Sequence, residues 1–316
     1  MATGSPEQPQ PAGTTDQFVT PTVSVARHHM TSDKPLVWLV PLVAVLLFIG
    51  VYPLIFNIRN SFREFNPMKG KVEPVGMDNW LRLFTDDRVH NALFVSLKYI
   101  GLALVVEFAL GLAIAVLFNS GPWGSGVWQS LIILPMVVPP TVAAVMWKVL
   151  EDQNNGAVSK LLETIGLTSI QEPLLGGTGR WALLAVLIPE VWQWTPFFVL
   201  ILLAGLKALP TEPIEAAHVD GASGWQAFWG VTLPMLRPMI AVAVLFRLVD
   251  LIKVFDYVYV LTSGGPGTRT EVLSYYAYQR SFTTIEWGYG SVLGIVILVI
   301  AIVAANIYAR VFKLQW

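Results

Sequence analysis

Glu215-Ala216-Ala217-His218-Val219-Asp220-Gly221-Ala222 is the stretch on which the reading of this chain turns. It lies in a polar interval, 206–238, between two apolar runs long enough to cross a membrane. Thr211 can cap a helix beginning at Glu212, and Pro213 is tolerated in its first turn. Glu215 falls in that turn, where a carboxylate suits the positive end of the helix dipole. Gly221 can take the left-handed conformation that ends a helix. Ser223 and Gln226 then have the spacing of a capping box for a second short helix. Thr232, Leu233, Pro234 and Pro238 are expected to stop that helix and start the next span. A plain connecting loop would explain the glycine and prolines. It would not explain two capped helices carrying small alanines and a solvent-facing carboxylate, a surface another protein can approach closely.

Composition says what surrounds this interval. Of 316 residues, 54% are apolar and 13% charged. Soluble domains carry about 25% charged residues, so much of this surface must face lipid. Six apolar runs have the length a bilayer demands of a helix: Leu36–Ile58, Ala92–Phe118, Val127–Leu150, Trp181–Leu206, Pro238–Leu261 and Gly288–Phe312. Backbone groups in lipid need partners within their own segment, so the expectation is an all-α membrane protein of six transmembrane helices, occupying 35–316. Residues 1–34 are rich in Pro, Thr and Gln and carry few large apolar groups, so a disordered tail is expected there. The net charge of −1 favours no nucleic acid partner, and the absence of cysteine excludes disulfides and thiolate chemistry.

Orientation is contested within the sequence. The loop after the first run holds Arg59, Arg63, Lys69, Lys71, Arg82 and Arg88, which the positive-inside rule would place in the cytoplasm. The same loop also holds Glu64, Glu73, Asp78, Asp86 and Asp87.

Charges inside the spans are the candidates for a pathway. Arg247, Asp250, Lys253 and Asp256 lie in the fifth run. A charge at bilayer depth costs about 2.5–3.5 kcal/mol on insertion scales and faces a cavity or a countercharge. Helical spacing would put Asp250, Lys253 and Tyr257 on one face, with Arg247 paired to Asp250 and Lys253 to Asp250 or Asp256. Such pairs can simply glue helices. They can also offer hydrogen bonds to sugar hydroxyls. In the fourth run Glu190, Trp192, Gln193 and Trp194 combine carboxylate, amide and indole, the groups that suit the hydroxyl edge and apolar face of a sugar, though a Trp-rich span is commonly packing. Glu107, deep in the second run, needs a partner. Pro139-Pro140 in the third run predicts a kink.

No catalytic constellation is visible. His28, His29, His90 and His218 are scattered, and the carboxylates of the fifth run are interleaved with basic residues. No Gly-x-x-x-x-Gly-Lys-Ser/Thr loop is present to cradle a nucleotide phosphate, and no metal site is expected.

The spacing Glu215-Ala216-Ala217, Asp220-Gly221-Ala222, Phe228, Leu233-Pro234 and Pro238 resembles the EAA loop of ATP-binding-cassette (ABC) importer permeases. Val75-Gly76-Met77-Asp78-Asn79-Trp80 and Leu261-Thr262-Ser263-Gly264-Gly265-Pro266-Gly267 look like segments of the MalF/UgpA-like carbohydrate branch. The resemblance covers about residues 36–312. It implies a type I ABC importer permease fold and a cytoplasmic coupling loop at 206–238, hence both termini cytoplasmic. Glu215, Ala216, Ala217, Asp220 and Gly221 would contact the ATPase. It further implies a second permease subunit, two ATPase subunits carrying the ATP and magnesium, an extracytoplasmic sugar-binding protein, and a sugar cargo, a disaccharide such as trehalose. No cofactor is expected on this chain. The rival expectations are an ion-coupled secondary transporter and a membrane-embedded glycolipid-processing enzyme.

Overall fold

The computed structural model describes Met1, Gly4 and residues 35–66, 70–169 and 172–313. Apart from Met1 and Gly4, the tail assigned to 1–34 lies outside these residues. The chain divides into two units, Met1–Ile49 and Gly50–Trp316. In the first, a helix runs over Pro35–Leu46, and its side chains from Leu39 onward are exposed.

Among the described residues, four helices are long and apolar enough to cross a membrane: α1 (Leu39–Ser61), α2 (Asp87–Asn119), α5 (Ala182–Ala208) and α10 (Trp287–Val311). A fifth candidate is broken. Helices α3 (Ser125–Val137) and α4 (Pro140–Leu150) meet at 99°, because Pro139 and Pro140 supply no N–H to continue the ladder. The kink expected from sequence is therefore a sharp turn.

The fifth run departs from expectation. Helix α8 covers only Arg237–Ile252; the chain turns through Lys253–Phe255 and becomes helical again at 256–262, α9. Tyr257 therefore does not share a helical face with Asp250 and Lys253. The prolines before α8 also act differently from the reading above. Phe228–Thr232 forms a wide π turn that leads through Leu233–Met235 into α8, so Thr232 and Pro234 widen and redirect a helical path instead of stopping it.

Helices α2 and α5 form the central pair. On α2 the buried positions include Tyr99, Ala103, Glu107, Gly111 and Ala115, one every four residues on one face. A Cβ on Gly111 would lie 2.3 Å from the Cβ of Phe198 on α5, so only glycine lets these backbones approach.

The loops sort to two ends. At one, strands β1 (Arg63–Asn66) and β2 (Lys71–Pro74) pair antiparallel, Arg63 opposite Pro74. Arg82 reaches Glu286 at 2.8 Å, Asn91 donates to the Thr268 carbonyl at 3.0 Å, and Lys148 donates to the Val260 carbonyl at 2.8 Å. At the opposite end Asn119 shares one groove with Leu209, His218 and Trp225. We call these the sheet end and the hairpin end, after the strands and after helices α6 (Glu212–Val219) and α7 (Gly224–Ala227).

Candidate functional site

The charges of the spans meet at one arginine. Arg247 on α8 is 2% exposed. Its Nε donates to Glu107 Oε2 at 2.7 Å and its Nη2 to Glu107 Oε1 at 2.9 Å. Nη2 also donates to Glu190, and Nη1 to Asp250. The guanidinium stands 4.6 Å from the centre of the Trp194 ring, a cation–π contact. Tyr99 donates to the second Glu190 oxygen at 2.9 Å. One planar fork thus joins α2, α5 and α8, using the fixed geometry that distinguishes arginine from lysine. The expected Arg247–Asp250 pair forms, and Glu107 finds its partner in the same guanidinium.

Beside this cluster lies a cavity of about 270 Å³. Glu190, Trp194, Asp250, Lys253, Asp256 and Tyr257 line it, together with Pro140, Val254 and Phe255. Lys253 lies 3.5 Å from Asp250, and Asp256 accepts from Thr141. Trp192 and Gln193 are not on the cavity wall. Trp192 packs edge-on against Trp147, with 5.7 Å between ring centres. Gln193 donates to the Val138 carbonyl freed at the α3–α4 bend and accepts from Tyr257, which repairs the broken backbone. A larger groove of about 900 Å³ lies at the hairpin end, but its walls are apolar and it gathers no converging charges.

The hairpin end presents the second set of singled-out residues. Thr211 precedes α6 without a side-chain capping bond. Gly221 turns the chain at φ 88°. The Ser223–Gln226 capping box forms on both sides, and His218 Nδ1 meets the Ala222 carbonyl at 3.0 Å. Glu215, Ala216, Asp220 and Gly221 are exposed and Ala217 is half-buried. Glu215 and Asp220 take part in no ion pair among the described residues.

Sequence reasoning missed the polar network of the sheet end. Asp86 caps α2 by accepting from the Arg88 N–H at 3.0 Å, and it also accepts from Tyr276 and Tyr289. Burial alone would raise the Asp86 pKa, but the two phenol donors, the Arg88 amide and nearby Arg280 outweigh it and hold the carboxyl below its ordinary value. Its stabilising effect is therefore present at neutral pH and is lost as pH falls through that lowered value. Arg88 also pairs with Glu271, and Arg280 with Glu286. Distances in sequence of 183 and 204 residues separate Arg88 from Glu271 and Arg82 from Glu286, which no local pattern reveals. Tyr99 was also missed, although it carries a local signal: it sits two four-residue steps before Glu107 on the buried face of α2.

Residues 107–314 match the family described as "Binding-protein-dependent transport system inner membrane component", and the chain belongs to that family. It is 36% identical over 302 residues to the probable ABC transporter permease protein y4oQ of Sinorhizobium fredii, covering 92% of this chain and 94% of that one. It is 32% identical over 277 residues to the trehalose/maltose transport system permease protein MalF of Thermococcus litoralis, covering 88% and 92%. In fold it resembles a subunit of a bacterial ABC transporter involved in import of the acidic polysaccharide alginate, at TM-score 0.73, 23% identity and coverage of 88% and 94%.

The protein is thus a multi-pass permease subunit of a sugar or solute ABC importer in the bacterial inner or plasma membrane, with an all-α fold like that of type I importers. It is a non-catalytic subunit, which sets aside the membrane-enzyme alternative.

Proposed function

We propose that this chain is half of the membrane pathway of an ATP-driven importer of a neutral sugar, a disaccharide of the trehalose or maltose kind. The polar cavity beside Arg247 holds the cargo. Its wall carries Asp250 and Asp256 near solvent against Lys253, which already lies beside Asp250. Arg247 is consumed by Glu107, Glu190 and Asp250. A carboxylate-rich wall with its cations committed accepts hydroxyls and disfavours anionic sugars. The likeness to a trehalose/maltose permease supports the same cargo class.

Helices α6 and α7 are the socket for the ATPase, with Glu215, Ala216, Ala217, Asp220 and Gly221 at the contact. The observation that carries this is the exposed, self-capped hairpin at the end opposite the sheet, with carboxylates lacking an ion-pair partner among the described residues. The hairpin end then faces the cytoplasm, and α8 with 256–262 completes a fifth of six crossings, leaving both termini inside. This orientation rests on the hairpin and runs against the Lys/Arg count of the 62–91 segment, where Arg82 and Arg88 are paired with Glu286 and Glu271. A second permease subunit, two ATPase subunits with ATP and magnesium, and an extracytoplasmic sugar-binding protein complete the machine.

The test is gentle purification of the tagged chain from its native membrane, followed by Glu215→Lys. Wild type brings a second permease and an ATPase with it. The Glu215→Lys chain inserts normally but loses the ATPase and sugar uptake. Uptake catalysed by the chain alone would falsify the proposal in favour of an ion-coupled carrier.

A further inference from the structure

A run of aromatic rings leads away from the cavity toward the sheet end. Phe255 lines the cavity. Its ring stacks on Tyr259 at 5.2 Å with 18° between planes, and Tyr278 lies 5.0 Å from Phe255 and 5.3 Å from Tyr259. Phe282 follows at 5.3 Å from Tyr278. Tyr275, buried, backs the run at 6.3 Å from Phe255. Tyr259 is 42% and Phe282 72% exposed, while Phe255 and Tyr278 are half-buried.

Three observations separate this strip from ordinary packing. Two of its four rings sit on wide π turns, Val258–Thr262 and Gln279–Thr283; such turns recur where a helix must re-aim side chains at a functional site. The lipid-type surface of α10 is aliphatic, exposing Val299, Ile302, Val303 and Ile307, whereas this strip carries phenol hydroxyls. Finally, it is continuous with the polar cavity through Phe255.

Resting on the reading of the chain as a sugar permease, we propose that Phe255, Tyr259, Tyr278 and Phe282 form a second sugar subsite. It is a stacking track that receives pyranose rings at the sheet end and hands them to the cavity. The C–H face of a pyranose lies flat on an aromatic face, attracted by the ring quadrupole. The Tyr259 and Tyr278 hydroxyls meet the sugar's polar edge, and successive rings at about one spacing let it advance without losing contact.

The experiment uses the assembled importer in proteoliposomes with its binding protein and ATP, and labelled trehalose and maltose as probes. Tyr278→Leu and Phe282→Leu each slow uptake about threefold to tenfold, the worth of one aromatic contact, while Tyr278→Trp and Phe282→Trp stay within about twofold of wild type. Because the chain has no cysteine, Phe282→Cys reports directly. Sugar-loaded binding protein slows thiol labelling during turnover, and sugar-free binding protein does not. Leucine variants equal to wild type, or equal protection by sugar-free protein, overturn the track. Leucine and tryptophan variants that both lose the second permease show the strip to be a subunit contact and also overturn it. Failure of the wild-type importer to move any neutral sugar overturns the sugar reading itself, and the track with it.

Discussion

The two ends of the molecule are built on opposite plans. At the sheet end, polar groups are spent on one another across long stretches of chain. Arg82 pairs with Glu286, Arg88 with Glu271, and Glu64 accepts the Gly288 and Tyr289 amides at 3.2 and 3.1 Å, capping α10 from 224 residues away. At the hairpin end, the side-chain bonds of α6 and α7 reach only three or four residues along the chain. The first plan makes a frame whose pieces cannot shift singly. The second leaves a compact element whose Glu215 and Asp220 are exposed and form no ion pair among the described residues. Where a protein satisfies its own polar groups it is holding shape; an exposed hairpin whose carboxylates form no ion pair among the described residues is the surface on which the proposed contact rests.

Breaking the centre that joins the two ends has the largest expected effect. Arg247→Met leaves Glu107 and Glu190 buried without a cation, and removing one partner of a buried ion pair costs about 3–5 kcal/mol. The expected outcome is loss of folded protein in detergent, measured by thermal unfolding. Adding Glu107→Gln and Glu190→Gln to the same chain restores much of it. A single Arg247→Met chain that melts like wild type would show the cluster to be hydrated in the folded protein.

The frame is attacked next at its tightest approach. A Cβ on Gly288 would lie 1.6 Å from the Arg63 carbonyl oxygen. Gly288→Val therefore prises β1 from the start of α10 and destabilises by about 1–3 kcal/mol, the usual cost of overpacking. Limited proteolysis within 62–86 should accelerate.

A smaller effect sharpens the comparison, because one group at the sheet end breaks its rule. Glu151, just past α4, is fully buried, and neither carboxylate oxygen has a hydrogen-bond partner among the described residues. Burial pushes its pKa up to about 9. A carboxyl raised in the folded state favours folding most below its unfolded value, near 4.3, and progressively less as pH rises toward about 9. Glu151→Gln removes that titration. Its melting temperature should match wild type at about pH 4 and below and exceed it increasingly toward pH 9; a constant offset at every pH refutes the assignment. The smallest effect on stability belongs to the hairpin. Glu215→Lys, an exposed change, should move unfolding by less than about 0.5 kcal/mol even though uptake is lost.

Much of this architecture was legible in the sequence because its determinants are local. Apolar runs marked α1, α2, α5 and α10, the Ser223–Gln226 box marked α7, and Gly221 marked the turn between α6 and α7. The buried charges were legible as charges that needed partners. What local spacing could not provide was the company they keep. It did not reveal that Arg247 serves three carboxylates, nor that Gln193 is drawn to a carbonyl released by prolines 54 and 53 residues away. The reading of α8 as an unbroken span failed because apolar content does not report where a helix ends. Lys253, Val254 and Phe255 form the turn without a proline or glycine among them.

The position of Arg247 in the chain also sets an order of events during synthesis. Glu107 and Glu190 enter the bilayer on α2 and α5 before the helix bearing their shared cation has been made. Until α8 arrives, each of those segments has only water, a borrowed proton or Tyr99 to shelter its carboxyl. The arginine therefore works as a late keystone. Nascent chains truncated before residue 247 should remain with the insertion machinery, and those carrying it should be released into lipid as a closed bundle.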